Sequence, residues 1–288
     1  MRMLIVGSGV TGEATGKGFD EHGHRVVFYD IDNKKLEALE NQGYKVSTSL
    51  RSTVQESDVI FICVPTPTVG GVMDFNFVEN AVIGVSKALE GSNKYCVIAL
   101  RSTVVPFTTR RRVLPLVEHY SKMKIGEDMG ICMNPEFLRE KSALKDFLSP
   151  ERIVIGEYDA KSGDVLKEAY SPIHAPIIRT SLDTAEMIKY VSNLFLASKI
   201  SFFNEMHIIC QNAGIDSAIV SRAVSLDSRI GEYGVHGGRP FDGKCLPKDL
   251  EAFRGFVRSL NLNPKLLDAV SYVNHEVVET AKQHDRGD

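Results

Sequence analysis

Tryptophan is absent from the 288 residues, and that absence decides nothing. Other scarcities are more informative. Cysteine occurs five times, at Cys63, Cys96, Cys132, Cys210 and Cys245, widely scattered and without C-x-x-C spacing. A disulfide framework, a zinc knuckle or any other metal site is therefore not expected, and a reducing cytoplasm is the expected compartment. No apolar run approaches the ~20 residues needed to span a bilayer, so no membrane partner is expected. The opening MRMLIVGSG turns to glycine too early for a signal peptide. Neither sign of charge dominates: 34 Lys and Arg stand against 37 Asp and Glu, a formal net charge of -3. Nothing global argues for nucleic acid, and Arg110-Arg111-Arg112 reads as a solvated helix face. Hydrophobic content of 43% and charged content of 25% are those of a soluble globular chain. Its length suffices for one large core or two domains.

Met3 to Val6 is an apolar run opening directly into Gly7-Ser8-Gly9-Val10-Thr11-Gly12, followed by a helical stretch and a second strand, Arg25 to Tyr29, ending in Asp30. Strand, glycine turn, helix, strand and terminal acid form a dinucleotide-binding unit. Gly7 makes the turn, Gly9 admits a pyrophosphate, and Gly12 lets helix and strand approach. Asp30 is placed to bind both ribose hydroxyls and to repel a 2'-phosphate, which favours NAD over NADP. Lys34 and Lys35 on the next helix weaken that preference without reversing it.

The alternation continues. Lys34 to Asn41 reads as a helix, Lys45 to Thr48 as a short strand, and Asp58 to Val64 as a buried strand ending in Pro65-Thr66-Pro67. Phe77 to Leu89 is a helix, Cys96 to Leu100 a strand ending in Arg101-Ser102-Thr103, and Thr108 to Tyr120 a helix. Gly130 to Met133 is a strand ending in Asn134-Pro135-Glu136; Phe137 to Phe147 reads as helix or loop, and Ile153 to Ile155 as the final edge strand. Three strand ends carrying Thr66, Ser102 with Thr103, and Asn134 with Glu136 form a candidate site wall. Pro176 to Thr180 is a further short strand. From about Leu182 to Ala213 the chain is helical, with Ile188, Val191, Phe195, Phe202, Met206 and Ile209 on one face. Lys189 and Asn193, four apart, share another face. Leu250 to Leu260 reads as a later helix, and one more begins near Lys265. The expected fold is α/β: a Rossmann-type parallel sheet domain over residues 1–181, then an all-helical central or dimerisation domain over residues 182–288.

The stretch Gly231 to Asp249, GEYGVHGGRPFDGKCLPKD, holds the one cysteine with chemical promise. Cys245 follows a run of glycines and precedes Pro247-Lys248-Asp249. A thiol beside cations is a candidate nucleophile; a flexible connection with an incidental cysteine is the other reading.

Taken in order, Gly7 to Gly12, Ser102-Thr103-Val104, Asn134 to Glu140, Arg152 to Gly156, Glu186 to Tyr190 with Asn193, and Cys245-Leu246-Pro247-Lys248-Asp249 resemble the UDP-glucose/GDP-mannose dehydrogenase family, most of all its UDP-glucose 6-dehydrogenases. The resemblance runs over the whole chain. It implies NAD-dependent oxidation of the C6 alcohol of a nucleotide sugar, UDP-glucose to UDP-glucuronate, by two hydride transfers through a cysteine thiohemiacetal and thioester. Cys245 is then the nucleophile. Lys189 stabilises developing oxygen charge, with Asn193 beside it; Asp249 and Thr103 hold water or assist proton transfer, and Glu136 serves hydrolysis. The cofactor set implied is Gly7, Gly9, Val10, Thr11, Gly12, Asp30 and Lys35, with Pro65, Thr66, Ser102, Thr103, Glu140 and Lys248. The implied substrate contacts are Glu136, Phe137, Leu138, Lys189, Asn193 and Gly243, joined by Arg229 across a homodimer contact. The sequence departs from the family pattern at Asp242-Gly243-Lys244, where glycines are usual, at Lys141 and at Thr11. Family members normally continue into a C-terminal nucleotide-binding domain, which this chain is expected to lack. The alternative expectation is a non-catalytic or weakly active NAD-binding dimeric homologue.

Overall fold

Three runs of four residues, Val59–Ile62, Val97–Leu100 and Gly130–Met133, are apolar throughout and completely buried. Such runs suit only strands covered on both faces, as in a parallel sheet with helices above and below. The computed structural model, which describes the backbone of residues 1–285, builds that sheet. Its strands are β1 (Arg2–Val6), β2 (Arg25–Tyr29), β3 (Val59–Ile62), and then, after a two-stranded hairpin β4 (Thr68–Val69) and β5 (Val72–Met73), β6 (Val97–Leu100), β7 (Gly130–Met133), β8 (Ile153–Glu157) and β9 (Ile177–Ser181). Spatial order in the seven-stranded sheet is β2-β1-β3-β6-β7-β8-β9. All neighbours are parallel except β7 and β8. The order reverses at β1, where the chain leaves one way for β2 and returns the other way for β3. That reversal opens a crevice at the carboxyl ends of β1 and β3, the usual ligand position in open α/β sheets.

The helices of this part are α1 (Val10–Glu21), α2 (Asn33–Glu40), α3 (Leu50–Glu56), α4 (Asn76–Leu89), α5 (Leu114–Ser121), α6 (Ala143–Leu148) and α7 (Ala160–Ala169). Asp32 caps α2 by accepting from the Lys34 amide, and Asp159 with Ser162 makes a reciprocal cap on α7. Phe19 from α1 meets Phe61, Phe147 and Tyr170 in the core under the sheet. Residues Met1–Thr66 and Asp74–Lys189 form this first compact unit.

The second unit takes the hairpin, Pro67–Met73, and the chain from Tyr190 onward. It contains most of α8 (Leu182–Asn212), then α9 (Ser217–Ser225), α10 (Leu246–Ser259) and α11 (Lys265–Asp285). The first two turns of α8 pack with the first unit, which ends at Lys189. The last three residues of the expected second domain lie outside the described ones. Gly214, at φ 69°, ends α8, and the Ile215 amide returns to the Cys210 carbonyl. A Cβ on Gly255 of α10 would collide with the Gly71 carbonyl oxygen, so the missing side chain is what admits the hairpin.

Several expected elements differ. Lys45 to Thr48 is no strand of the sheet; one bridge, Phe28 with Val46, lies along the edge of β2. Ile153–Glu157 is interior, running antiparallel to β7, and β9 is the edge. The helix expected from Thr108 starts as a π-helical turn, Thr109–Val113. Pro115 has no amide to offer the Arg111 carbonyl, which favours that wider turn. Phe137 to Phe147 divides into a loop, a 3-10 turn at Glu140–Ser142 and α6. The helix expected from Leu250 already begins at Leu246, with Pro247 in its first turn, where proline is tolerated.

Candidate active site

The first unit presents the glycine turn at the end of β1. Gly7 has φ 95°, and a Cβ there would lie 2.6 Å from the Cys63 carbonyl oxygen. A Cβ on Gly12 would strike the Gly7 carbonyl, whereas one on Gly9 would meet nothing within 4 Å. The turn is therefore closed on the protein side and open at Gly9. Gly9 is the N-cap of α1 and no side chain caps that helix, so the amides of its first turn, from Val10 to Gly12, stay available to an anion. The Ser8 hydroxyl is buried without a hydrogen-bond partner. Asp30, nearly buried at the end of β2, accepts from the Ser8 amide at 2.6 Å and the Asp32 amide at 2.9 Å. Lys35 lies 3.4 Å from the same carboxylate. Three of the roughly four acceptor positions of that carboxylate are thereby used.

At the strand ends, Pro65 is exposed and Thr66 buried after β3. The Ser102 hydroxyl donates to the carbonyls of Val64 at 2.7 Å and Ile62 at 3.3 Å, so it ties the ends of β3 and β6 together. Thr103 beside it is half-buried. After β7, Glu136 forms a buried ion pair with Lys189 of α8 at 3.1 Å and accepts from the Leu138 amide at 2.6 Å. Burial alone pushes the Glu136 carboxyl up, yet the Lys189 ammonium, the Leu138 amide and the Arg101 charge outweigh it and hold the group below its ordinary value. The Phe137 ring receives the Lys189 ammonium at 5.5 Å and the Arg152 guanidinium at 3.9 Å. Glu140 sits in the exposed 3-10 turn that follows.

Two features of this unit are not visible in the sequence. Arg101, buried at the end of β6, donates to Thr15 at 2.8 Å, Asn134 at 2.6 Å and Tyr170 at 3.0 Å. Asn134 also donates to the Val154 carbonyl, so it is a strut between strands and not part of a site wall. An arginine closing an apolar strand is the one signal of this cluster that the sequence carries. Glu186, one turn before Lys189, accepts from both the amide and the hydroxyl of Thr109, at 2.7 and 2.6 Å. Burial pushes its carboxyl up to about 7 against those hydrogen bonds.

The second unit presents Cys245 as the N-cap of α10, and it alone of the five cysteines is exposed. No disulfide joins any of the five, all of which lie within the described residues. Burial pushes the Cys63, Cys96 and Cys132 thiols up to about 12, so they stay protonated at neutral pH. In the first turn of α10, Asp249 is buried. It accepts from the Asn193 amide at 2.6 Å and from Lys248 at 2.5 Å. Gly243, at φ 77°, precedes the thiol by two residues. Arg229 is exposed and holds Asp227 at 2.6 Å.

A doubly wound sheet, a glycine turn closed except toward Gly9, uncapped helix amides and an acid at the next strand end fit a dinucleotide and define the class: an NAD-dependent dehydrogenase. Comparison with known proteins narrows it. The NAD-binding domain of the UDP-glucose/GDP-mannose dehydrogenase family matches residues 37–174, and that family's central domain matches residues 183–276. The GDP-mannose 6-dehydrogenase of Pseudomonas putida is 35% identical over 98% of this chain and 69% of its own length. The UDP-glucose 6-dehydrogenase of Haloferax volcanii is 36% identical over 95% of this chain and 69% of its own length. A UDP-glucose dehydrogenase structure from Pyrobaculum islandicum superposes with a TM-score of 0.89 at 34% identity, covering 96% of this chain and 68% of that one. The chain belongs to the UDP-glucose/GDP-mannose dehydrogenase family, whose members are NAD-dependent nucleotide-sugar dehydrogenases, and NAD is its cofactor.

Proposed function

We propose that the chain oxidises the C6 alcohol of a nucleotide sugar to the carboxylate, with UDP-glucose as substrate, through a covalent adduct on Cys245. The observation that carries the reading is an exposed thiol at a helix N-terminus, one turn before a buried Asp249 tied to Asn193 and Lys248. Relatives named for UDP-glucose and for GDP-mannose stand equally near, so the nucleotide is the finer part of the proposal. NAD, when bound, accepts a hydride from the sugar carbon in each oxidation. The glycine turn and first α1 amides would hold its pyrophosphate, and Asp30 its ribose.

A four-electron oxidation without aldehyde release needs a tether, and the thiolate supplies it. The helix N-terminus favours that anion. Sulfur adds to the aldehyde carbon, the carbonyl electron pair moves to oxygen, and a proton completes a thiohemiacetal. Loss of a hydride from that carbon, with loss of the hydroxyl proton, leaves a thioester. Water then adds to the thioester carbonyl, the C–S bond breaks, and the thiolate is regenerated as the carboxylic acid loses its proton. Lys189 serves the developing oxygen charge, with Glu136 setting its position and taking part in hydrolysis. Asp249 and Thr103 hold water or relay a proton, and Asn193 orients Asp249. Glu140 and Arg229 keep the roles that the family resemblance gives them. Counting NADH per sugar with UDP-glucose and with GDP-mannose tests the proposal. Two NADH and one uronate per UDP-glucose are expected, and Cys245→Ser should yield no uronate. Normal uronate yield from that variant removes Cys245 from the mechanism. Binding of NAD without turnover of either sugar supports the non-catalytic alternative.

A homodimer built on α8 belongs to the same proposal. Val191, Phe195, Phe202 and Ile209 lie along one face of that helix and are 53 to 66% exposed in the single chain. A cytoplasmic location agrees with five cysteines in no disulfide. Among the described residues no helix is long and apolar enough to cross a membrane.

A further inference from the structure

The loop that delivers Cys245 has neither helix nor strand between Gly231 and Lys244, and five of those residues are glycine. Such a segment loses more conformational freedom on ordering than most chain of its length. Two asparagine side chains hold it. Asn204 of α8, fully buried, accepts from the Gly238 amide at 2.8 Å and donates to the Arg239 carbonyl at 2.9 Å. Asn274 of α11 accepts from the Phe241 amide at 2.8 Å and donates to the Phe241 carbonyl at 3.2 Å. Each amide thus takes the place of a neighbouring strand. Pro240, between the two clamps, has no amide of its own to satisfy. Glycine is required where the clamp closes: Gly238 has φ 92°, and a Cβ on Gly237 would strike His207 and come within 2.5 Å of the Phe203 carbonyl oxygen.

Three residues separate Phe241 from Cys245, and four more lead to Asp249. Asn193 and Asn204 are eleven apart in α8, three turns, and so lie on the same face. One face of one helix therefore anchors the chain on both sides of the thiol: Asn204 upstream, Asn193 through Asp249 downstream.

We propose that Asn204 and Asn274 are positioning residues for the Cys245 thiol, acting through the backbone they clamp. The proposal rests on Cys245 being the nucleophile. With the upstream clamp in place Cys245 is held at the N-cap position of α10; with it released, residues 238–244 move and the thiol leaves the helix end.

The test uses the 288-residue chain and iodoacetamide as the probe, since Cys245 alone among the five cysteines is exposed. The rate of alkylation at Cys245 is followed by mass spectrometry across pH 5 to 10 for the parent, Asn204→Ala, Asn274→Ala and Asn274→Asp, alongside hydrogen exchange over residues 236–246. In Asn274→Ala, exchange at Phe241 should quicken. The midpoint of the alkylation profile should rise by about half a pH unit or more, with a loss of about threefold in rate at pH 7. Asn274→Asp, which keeps the acceptor and loses the donor, should fall between. Should the fully buried Asn204 variant not fold, the half-buried Asn274 variants decide alone. An alkylation profile that superposes on the parent's, while exchange at Phe241 rises, overturns the proposal and leaves the amides purely structural. Normal uronate yield from Cys245→Ser would instead overturn the nucleophile reading, and the alkylation profiles would still report whether the amides place the sulfur.

Discussion

Glu186 and Glu136 are both buried carboxyls on or against α8, and their surroundings drive them in opposite directions. Glu186 is held by hydrogen bonds to Thr109, not by a cation, and burial carries it from its ordinary 4.5 to about 7. Between those values the folded chain holds a proton that the unfolded chain has released, so stability falls as pH rises through that window and the loss is complete above about 7. Glu186→Gln keeps an acceptor for Thr109 without the charge. Urea unfolding at pH 5 and pH 8 should show the variant losing less stability than the parent. The difference should be a few kcal/mol, since each tenfold change in proton affinity is worth about 1.4 kcal/mol. Equal losses in both proteins would sink the assignment. Glu136, held low by Lys189, contributes stability that is present above the ordinary carboxylate range and disappears as pH falls through its folded value. Lys189→Met leaves that carboxylate buried and unpaired, and at pH 7 it should destabilise the chain by about 3 kcal/mol, with much of the loss recovered on adding Glu136→Gln. Denaturant midpoints of the single and double variants measure both figures. No recovery in the double variant would show that Lys189 acts through packing, not charge. These two residues also mark the limit of reading a sequence: Lys189 is legible from its motif, but its pairing with a carboxylate 53 positions earlier is not.

The elements that the sequence shows best are those whose environment is uniform along their length. Val59–Ile62, Val97–Leu100 and Gly130–Met133 are buried on both faces, so every residue is apolar and no partner need be known to recognise them. The direction of β8 depends on which neighbour it joins, a choice made in three dimensions, and the run Ile153 to Ile155 carries no trace of it. The glycine turn and Asp30 are legible because one short segment contains the whole device. The Arg101 cluster is not, because Thr15, Asn134 and Tyr170 come from three other places in the chain. The hairpin β4–β5 is a similar case. After β3 the sequence marks only Pro65-Thr66-Pro67, whereas the residues that follow pack on α10 through the gap left by Gly255. Gly255→Ala should therefore push the Gly71 backbone away at a loss of about 1 to 3 kcal/mol. Faster hydrogen exchange confined to residues 67–73 and the facing turn of α10 would be its signature. Unchanged exchange there would mean that the hairpin yields without loss and is no part of the second unit's packing.

At the scale of the whole molecule, α8 leaves a row of large apolar side chains uncovered. A helix of 31 residues is about 46 Å long, and along it Val191, Phe195, Phe202 and Ile209 remain more than half exposed in the single chain. On the next helix Ile219 is 60% exposed, and Leu226 just beyond it 82%. Scattered apolar residues need no explanation, but a row of this length on one helix face does. Burying such a stripe at ~25 cal/mol per Å² yields about 1 to 2 kcal/mol for each large side chain, and a two-fold contact counts every one of them twice. The four side chains counted twice give about 8 to 16 kcal/mol, against an association penalty of about 4 to 15 kcal/mol, and the two phenylalanines supply about half of it. The paired change Phe195→Glu with Phe202→Glu should then convert a dimer into a monomer at micromolar concentration, read as a halving of mass by light scattering. Arg229→Ala should leave the mass unchanged, since Arg229 is exposed and engaged with Asp227 of its own chain, and raise KM for the sugar with kcat little altered. If the glutamate variant is monomeric and loses turnover to the same degree that Arg229→Ala loses sugar affinity, Arg229 works across the two-fold contact. A parent chain that runs as a monomer with full turnover defeats the dimer and that role for Arg229 together.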